Sequence, residues 1–257
     1  MPFLPLLDRN PRVYLRYPWV TWSLIGLCVL VFLLQAEAAP PAGDAMVYSF
    51  GFIPALLSGA ATLSPDLVVV PAWATTVTAL FLHGDMMHLL GNMLFLWVFG
   101  DNVEDSLGHL RFLAFYLACG IVACLAQFAL DPASPVPTIG ASGAISGVLG
   151  AYLLLHPQAK VLVPIVFFPV YLPAWLLLIV WLAFQFVGLG QPQDPGSASI
   201  AWLAHIGGFA AGLVLVVFLK RPTVALFGGL SPPRGIAMRE PPQRPARDHR
   251  RRRGPWG

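Results

Sequence analysis

Residues 112–219 carry only three charged side chains, Asp131, Lys160 and Asp194. A water-facing surface needs far more, since roughly a quarter of the residues in a soluble domain are charged. The whole chain of 257 residues is 57% hydrophobic and 11% charged. Most of its surface must therefore face lipid, and the composition is that of an integral membrane protein.

The apolar segments can be measured against the ~20 residues a helix needs to cross a bilayer. Six stand out, at 20–36, 88–103, 111–130, 142–156, 161–189 and 200–219. The second and fourth are short and rich in Gly, Ala or Asn, which suits the middle of a bundle, shielded from lipid. The alternating ten-residue pattern of a membrane barrel is not seen. The expected fold class is an all-α, six-helix membrane bundle. Residues 17–220 form it, 1–16 precede it and 221–257 form a tail.

Positive charges orient such a bundle. All fifteen Lys and Arg lie before the first span (Arg9, Arg12, Arg16), in the 2–3 turn (Arg111), in the 4–5 turn (Lys160), or from Lys220 onward. The other connections hold none, so both termini are expected on the cytoplasmic side. The chain then sits in a bacterial inner membrane with its Lys/Arg-free loops outside. The first span follows a charged segment and ends without a small-residue cleavage site, so no removable signal peptide is expected. Cys28, Cys119 and Cys124 fall within spans and read as buried apolar residues, not as a disulfide framework.

From Pro222 the composition changes to Pro, Gly and Arg, with eight Arg against Glu240 and Asp248. Too few apolar residues remain to offset the entropy of ordering, so this tail reads as disordered. Its plain role is a topology signal; a sharper one is contact with anionic lipid headgroups, at ~1 kcal/mol per Arg. It has no interleaved aromatics to stack bases, and no nucleic-acid partner is expected.

Polar groups inside a membrane are costly and each asks for a reason. His88 and Asn92 lie near the start of the second span, Ser142 starts the fourth, and His205 lies near the start of the sixth. These three spans run in the same direction. At 1.5 Å per residue the polar groups fall at a shared depth, roughly 7 Å or less below the outer end. Gly143 and Gly147 on one span, and Gly208 and Gly212 on the other, form smooth faces that let backbones approach. Such contact would set Ser142 beside His205, as activation of a serine hydroxyl by an imidazole requires. None of the twelve acidic residues falls in the fourth or sixth span, so a Ser–His dyad is the economical arrangement. The free N–H groups at the start of the fourth span, with His88 and Asn92 one turn apart, could receive a developing oxyanion.

HGDMMHLLGNMLFLWVFGDNVE (83–104), GASGAISGVLGAY (140–152) and AHIGGFAAG (204–212) resemble, in order, three signatures of the rhomboid intramembrane serine proteases: H-x-x-x-N, G-x-S-G and A-H-x-x-G-x-x-x-G. The resemblance covers about residues 17–220. It implies hydrolysis of a peptide bond in or near the transmembrane segment of a membrane protein substrate, with no metal or cofactor. By position, Ser142 is the nucleophile, His205 the base, and His88 and Asn92 stabilise the oxyanion. Gly140 and Gly143 shape the turn, and Gly208 permits close helix contact. Two features depart from the family pattern. No Arg follows Trp73 in the first outer loop, and Ser146 stands where some members place an aromatic against the catalytic His. The departure at Ser146 predicts a looser imidazole or packing from another helix.

Each site residue has a plainer reading. Ser142 alone would be packing filler, His205 a helix–helix hydrogen-bonding group, and His88 and Asn92 staples for the first loop. His83 reads as structural and Asp85 as a helix cap. Phe95, Trp97 and Phe99 read as bulk facing lipid or neighbours. A zinc protease built on His83, His88 and His205 lacks the H-E-x-x-H pattern. A catalytically weak or inactive rhomboid-like protein that binds membrane clients is the alternative function, and such proteins usually lose the Ser or the His. Pro164, Pro169 and Pro173 predict bends in the fifth span, which would move away from the second to admit a substrate helix.

Overall fold

The structure is a computed structural model that describes residues 4–38, 42–165, 168–191 and 201–228. A short strand β1 (Leu7–Asp8) leads to α1 (Trp19–Glu37), and the short helices α2 (Ala42–Phe50), α3 (Pro54–Ser58) and α4 (Thr75–Thr78) follow. Next come α5 (Met86–Leu107), α6 (His109–Leu130) and α7 (Ser142–Leu155). The hairpin β2 (Lys160–Ile165) and β3 (Phe168–Pro173), then α8 (Ala174–Leu189) and α9 (Trp202–Leu219), complete the order.

Helix α7 is the axis of the bundle. Residues 143–152 are buried without exception, against α5, α6, α8 and α9. Its small residues make this possible. A Cβ on Gly208 would run into the Gly143 carbonyl oxygen, and one on Gly212 into the Gly147 carbonyl oxygen. The two glycine pairs thus meet as their spacing predicts, backbone against backbone. Gly143 and Gly147 turn their own Cα hydrogens elsewhere, toward Ala123 and Cys119 of α6. Helix α1 is peripheral, burying only Thr21, Leu24 and Cys28.

Helices α1, α6 and α9 are long and apolar enough to cross a membrane. The 75–81 segment and α5 would qualify together but meet at 97°, while α7 and α8 are apolar but shorter. Two of the expected spans are therefore less than full length by themselves.

The reading of 161–189 as one bent helix is wrong. Its first half is a β-hairpin, paired from Lys160↔Pro173 to Ile165↔Phe168. β1 adds to the other side through Leu7↔Leu162 and Asp8↔Val161, so the fold is not purely α-helical. Val161 and Val163 are buried while Pro164 is exposed, the period of a half-buried strand. Proline lacks the N–H a helix interior needs, and Pro164 and Pro169 face each other in the hairpin instead. Pro173 directly precedes α8, which contains no proline.

The N-terminal segment, expected only to precede the bundle, is built into it. Asp105 accepts hydrogen bonds from the backbone of Val13, Tyr14 and Leu15 at 2.9, 2.9 and 2.5 Å. Glu104 accepts from Val20 N and Thr21 N at 3.0 and 2.8 Å, and from Thr21 Oγ1 at 2.6 Å. It serves as the cap that Pro18 cannot provide for α1, satisfying donors at the helix N-terminus. Asp8 accepts from Tyr152 Oη at 2.5 Å and Asn102 Nδ2 at 3.1 Å. Burial pushes the Asp8 carboxyl up to about 7, with the Tyr152 hydrogen bond opposing and nearby Asp101 reinforcing the shift.

At the opposite end of the bundle the 42–85 connection folds into a layer. Phe52 bridges to Thr138 by 3.0 and 2.7 Å backbone hydrogen bonds, and Thr78 Oγ1 donates to Phe50 O at 2.6 Å. Cys28, Cys119 and Cys124 are free and buried. The tail expected to be disordered from 221 onward begins in contact with the bundle, with Val224 buried and Phe227 N–H donating to Leu154 O at 2.6 Å; its Arg-rich part, 229 to 257, lies outside the described residues.

Candidate active site

The site is assembled at the first turn of α7. Gly140 precedes it with φ +114°, a conformation that disfavours any side chain. Its N–H donates to Ala79 O at 2.9 Å, anchoring the turn to the folded 42–85 connection. A Cβ at this position would also lie 2.7 Å from the His88 ring. The glycine is required twice, by backbone conformation and by the imidazole against it.

Ser142 is the first residue of α7 and is half-buried. Its Oγ lies 2.8 Å from His205 Nε2. His205 is 7% exposed, one turn before the Gly208–Gly143 crossing, so the backbone contact of α7 and α9 fixes their approach. The first-turn N–H groups of α7 have no i−4 partner and carry the positive end of the helix dipole. Ser146 does not reach the ring; its Oγ donates to Ser142 O at 2.6 Å, a local bond back along the helix.

Asn92 is 2% exposed, and among the described residues its Nδ2 has no hydrogen-bond partner. A buried unpaired amide donor is costly unless a ligand uses it. Asn92 lines a cavity of about 10 Å³ with Phe95, Ser142, Ile145, Ser146, Leu149, Trp181 and His205. That is space for about one water molecule. His88 is not in this lining. Its backbone N–H takes the Asp85 carboxylate cap at 2.8 Å, and its ring stands edge-on to His83, centroids 5.2 Å apart. His83 turns its ring back on its own loop, with Nδ1 3.2 Å from Phe81 O. Its backbone N–H donates to Gln35 Oε1 at 3.2 Å, tying the end of α1 to the loop.

Two α8 residues were not legible as parts of this site. The Trp181 ring is 6.1 Å from His205 and stacks on Phe209 at 6.0 Å. Gln185, 5% exposed, has Oε1 2.8 Å from His205 Nδ1. Their four-residue spacing puts them on one helix face, a signal in the sequence that needed knowledge of which helix neighbours α9. Phe95 also lines the cavity, whereas Trp97 is 56% exposed.

Residues 71–222 match the family model described as a Rhomboid domain. The chain belongs to the rhomboid family. It is 30% identical to rhomboid protease GluP of Bacillus subtilis, over 82% of this chain and 37% of that protein. It is 32% identical to the mitochondrial rhomboid protein 1 of Saccharomyces cerevisiae, over 55% of this chain and 40% of that one. RHOMBOID-like protein 1 of Arabidopsis thaliana is 33% identical over 62% of this chain and 38% of its own length. The chain thus spans less than half the length of these relatives.

Within this rhomboid fold, one of the two departures from the family pattern has a local counterpart. Trp181 lies beside the imidazole where Ser146 lacks a ring. At Trp73, where no Arg follows, the turn carries local bonds: the Thr75 and Thr76 hydroxyls donate to Ala72 O and Trp73 O at 2.6 and 2.7 Å.

Proposed function

We propose that this rhomboid is an intramembrane serine endopeptidase that cleaves peptide bonds in or near transmembrane segments of protein substrates. The observation that carries this reading is the 2.8 Å contact of Ser142 Oγ with His205 Nε2 at the N-terminus of α7. The unpartnered Asn92 donor in the same cavity supports it.

In this mechanism Ser142 Oγ attacks the scissile carbonyl carbon as its proton passes to His205 Nε2. The oxyanion is received by the α7 N-terminal N–H groups and Asn92 Nδ2, with His88 as a further donor once substrate is bound. Collapse breaks the C–N bond, and His205 returns the proton to the departing amine. Water, deprotonated by His205, then attacks the Ser142 ester; the C–Oγ bond breaks, His205 returns that proton to Oγ, and the acid product leaves. Six membrane passages, by α1, α5, α6, α7, α8 and α9, with both termini cytoplasmic, would open the site to the outer face of a bacterial inner membrane. The folded 17–220 region carries the chemistry, and the Arg-rich tail contacts anionic lipid. Phe95 of α5 and Trp181 of α8 border the cavity, so a peptide is admitted when they part.

Ser142→Ala tests the reading on a panel of single-span reporter proteins in liposomes. Cleavage is expected to fall to background, and persistent cleavage at the same bond refutes the assignment. A wild-type protein that captures these reporters without cutting any would favour the client-binding alternative.

A further inference from the structure

The general base has a partner that no acidic residue supplies. Among the described residues, no carboxylate contacts the His205 ring, whose hydrogen bonds run to Ser142 and Gln185. We propose that Gln185 is the positioning residue of this base, fixing through its amide oxygen the imidazole tautomer that can accept the Ser142 proton. The inference rests on the Ser–His reading above.

The amide's orientation follows from its second contact. Gln185 Nε2 donates to Trp181 O at 3.1 Å, one turn back on α8. Rotating the amide by half a turn would bring two carbonyl oxygens together there, and neither can donate. Oε1 therefore faces the ring and accepts from Nδ1–H at 2.8 Å. A neutral imidazole with hydrogen on Nδ1 has none on Nε2. Nε2 is then the free acceptor for the Ser142 hydroxyl at 2.8 Å.

A neutral amide also suits the surroundings. Carboxylates perform this task in soluble triads, but an uncompensated carboxylate in an apolar bundle is costly to desolvate. The amide oxygen still receives Nδ1–H once the ring is protonated, without a standing charge when it is not. Trp181 adds a ring beside the imidazole, and α8 is held against α9 further on, where a Cβ at Gly188 would run into the Trp202 ring. Among the described residues, the other titratable group beside the site is His88 of α5, whose ring lies against Gly140.

The test compares wild type, Gln185→Leu and Gln185→Glu in liposomes, each measured for kcat, KM and the pH profile of kcat on one reporter. Removing the acceptor in Gln185→Leu should lower kcat roughly tenfold to a hundredfold with KM nearly unchanged. The acid limb of its profile should move to lower pH, while Gln185→Glu should move that limb to higher pH. Opposite shifts are a signature that loss of packing does not produce. Wild-type turnover in Gln185→Leu, or an unmoved acid limb in both variants, overturns the proposal. A second measurement does not need activity: ¹⁵N spectra of histidine in the Ser142→Ala background. Hydrogen on Nδ1 of His205 is expected, changing to a tautomer mixture when Gln185→Leu is added, and an unchanged spectrum overturns the proposal. Should Gln185→Leu fail to fold, the Gln185→Glu limb decides. Cleavage that survives in Ser142→Ala alone would instead sink the underlying Ser–His reading.

Discussion

Replacing Gly208 with alanine adds one methyl group where α9 lies on the backbone of α7. The added carbon would fall on the Gly143 carbonyl oxygen, well inside the ~3.3 Å at which carbon and oxygen normally meet. A backbone oxygen within a helix cannot swing aside as a side chain does. The helices must therefore part, by about 1 Å, at a cost of about 1–3 kcal/mol for an overpacked interface. His205 lies one turn from the crossing and moves with it, which would stretch its 2.8 Å contact with Ser142 past hydrogen-bond range. A misplacement of ~1 Å in reacting groups lowers rate on the order of 10²-fold. Reporter cleavage in liposomes and thermal unfolding of the same preparation measure both effects. Gly26→Ala is the control, because nothing lies within 4 Å of a Cβ there. In the interior of α1 that change should raise stability by roughly 0.5–1 kcal/mol and leave turnover alone. A Gly208→Ala protein that cleaves at the wild-type rate would refute the claim that backbone contact sets the Ser142–His205 distance.

Asn92→Ala removes the unpartnered donor, so kcat should fall on the order of 10²-fold while KM stays within a few-fold; an unchanged kcat would exclude Asn92 from oxyanion binding. Unfolding should show a pH dependence traceable to Asp8, whose folded carboxyl titrates at about 7 against an ordinary 3.8. Between those values the folded state holds the extra proton, so stability should decline as pH rises from about 4 to about 7 and then level off. Asp8→Asn keeps an oxygen to accept from Tyr152 and Asn102, and it should flatten that slope; a slope that survives the substitution places its origin elsewhere.

The reading of residues 161–173 shows where periodicity stops being informative. An apolar run without charge fits a membrane helix, a buried helix or a buried strand equally well by composition. Alternate burial at Val161 and Val163 and three prolines in ten residues favour the strand, but hydropathy averaged over a window hides both. The capping of α1 by Glu104 was illegible for a different reason. Its partners lie more than eighty positions away, and local capping patterns do not reach that far.

By itself the sequence determined that this chain enters a membrane, that α7 and α9 can touch, and which residues meet where they do. Scarcity of charge and glycine spacing are local properties, and they act the same way in any fold that satisfies them. Tertiary structure alone decided that α8 supplies Trp181 and Gln185 to His205, that a hairpin precedes α8, and that residues 8–21 are held by Asp105, Glu104, Tyr152 and Asn102. Those contacts depend on which helix becomes whose neighbour. That choice is made by packing over the whole bundle, and no short stretch of sequence encodes it.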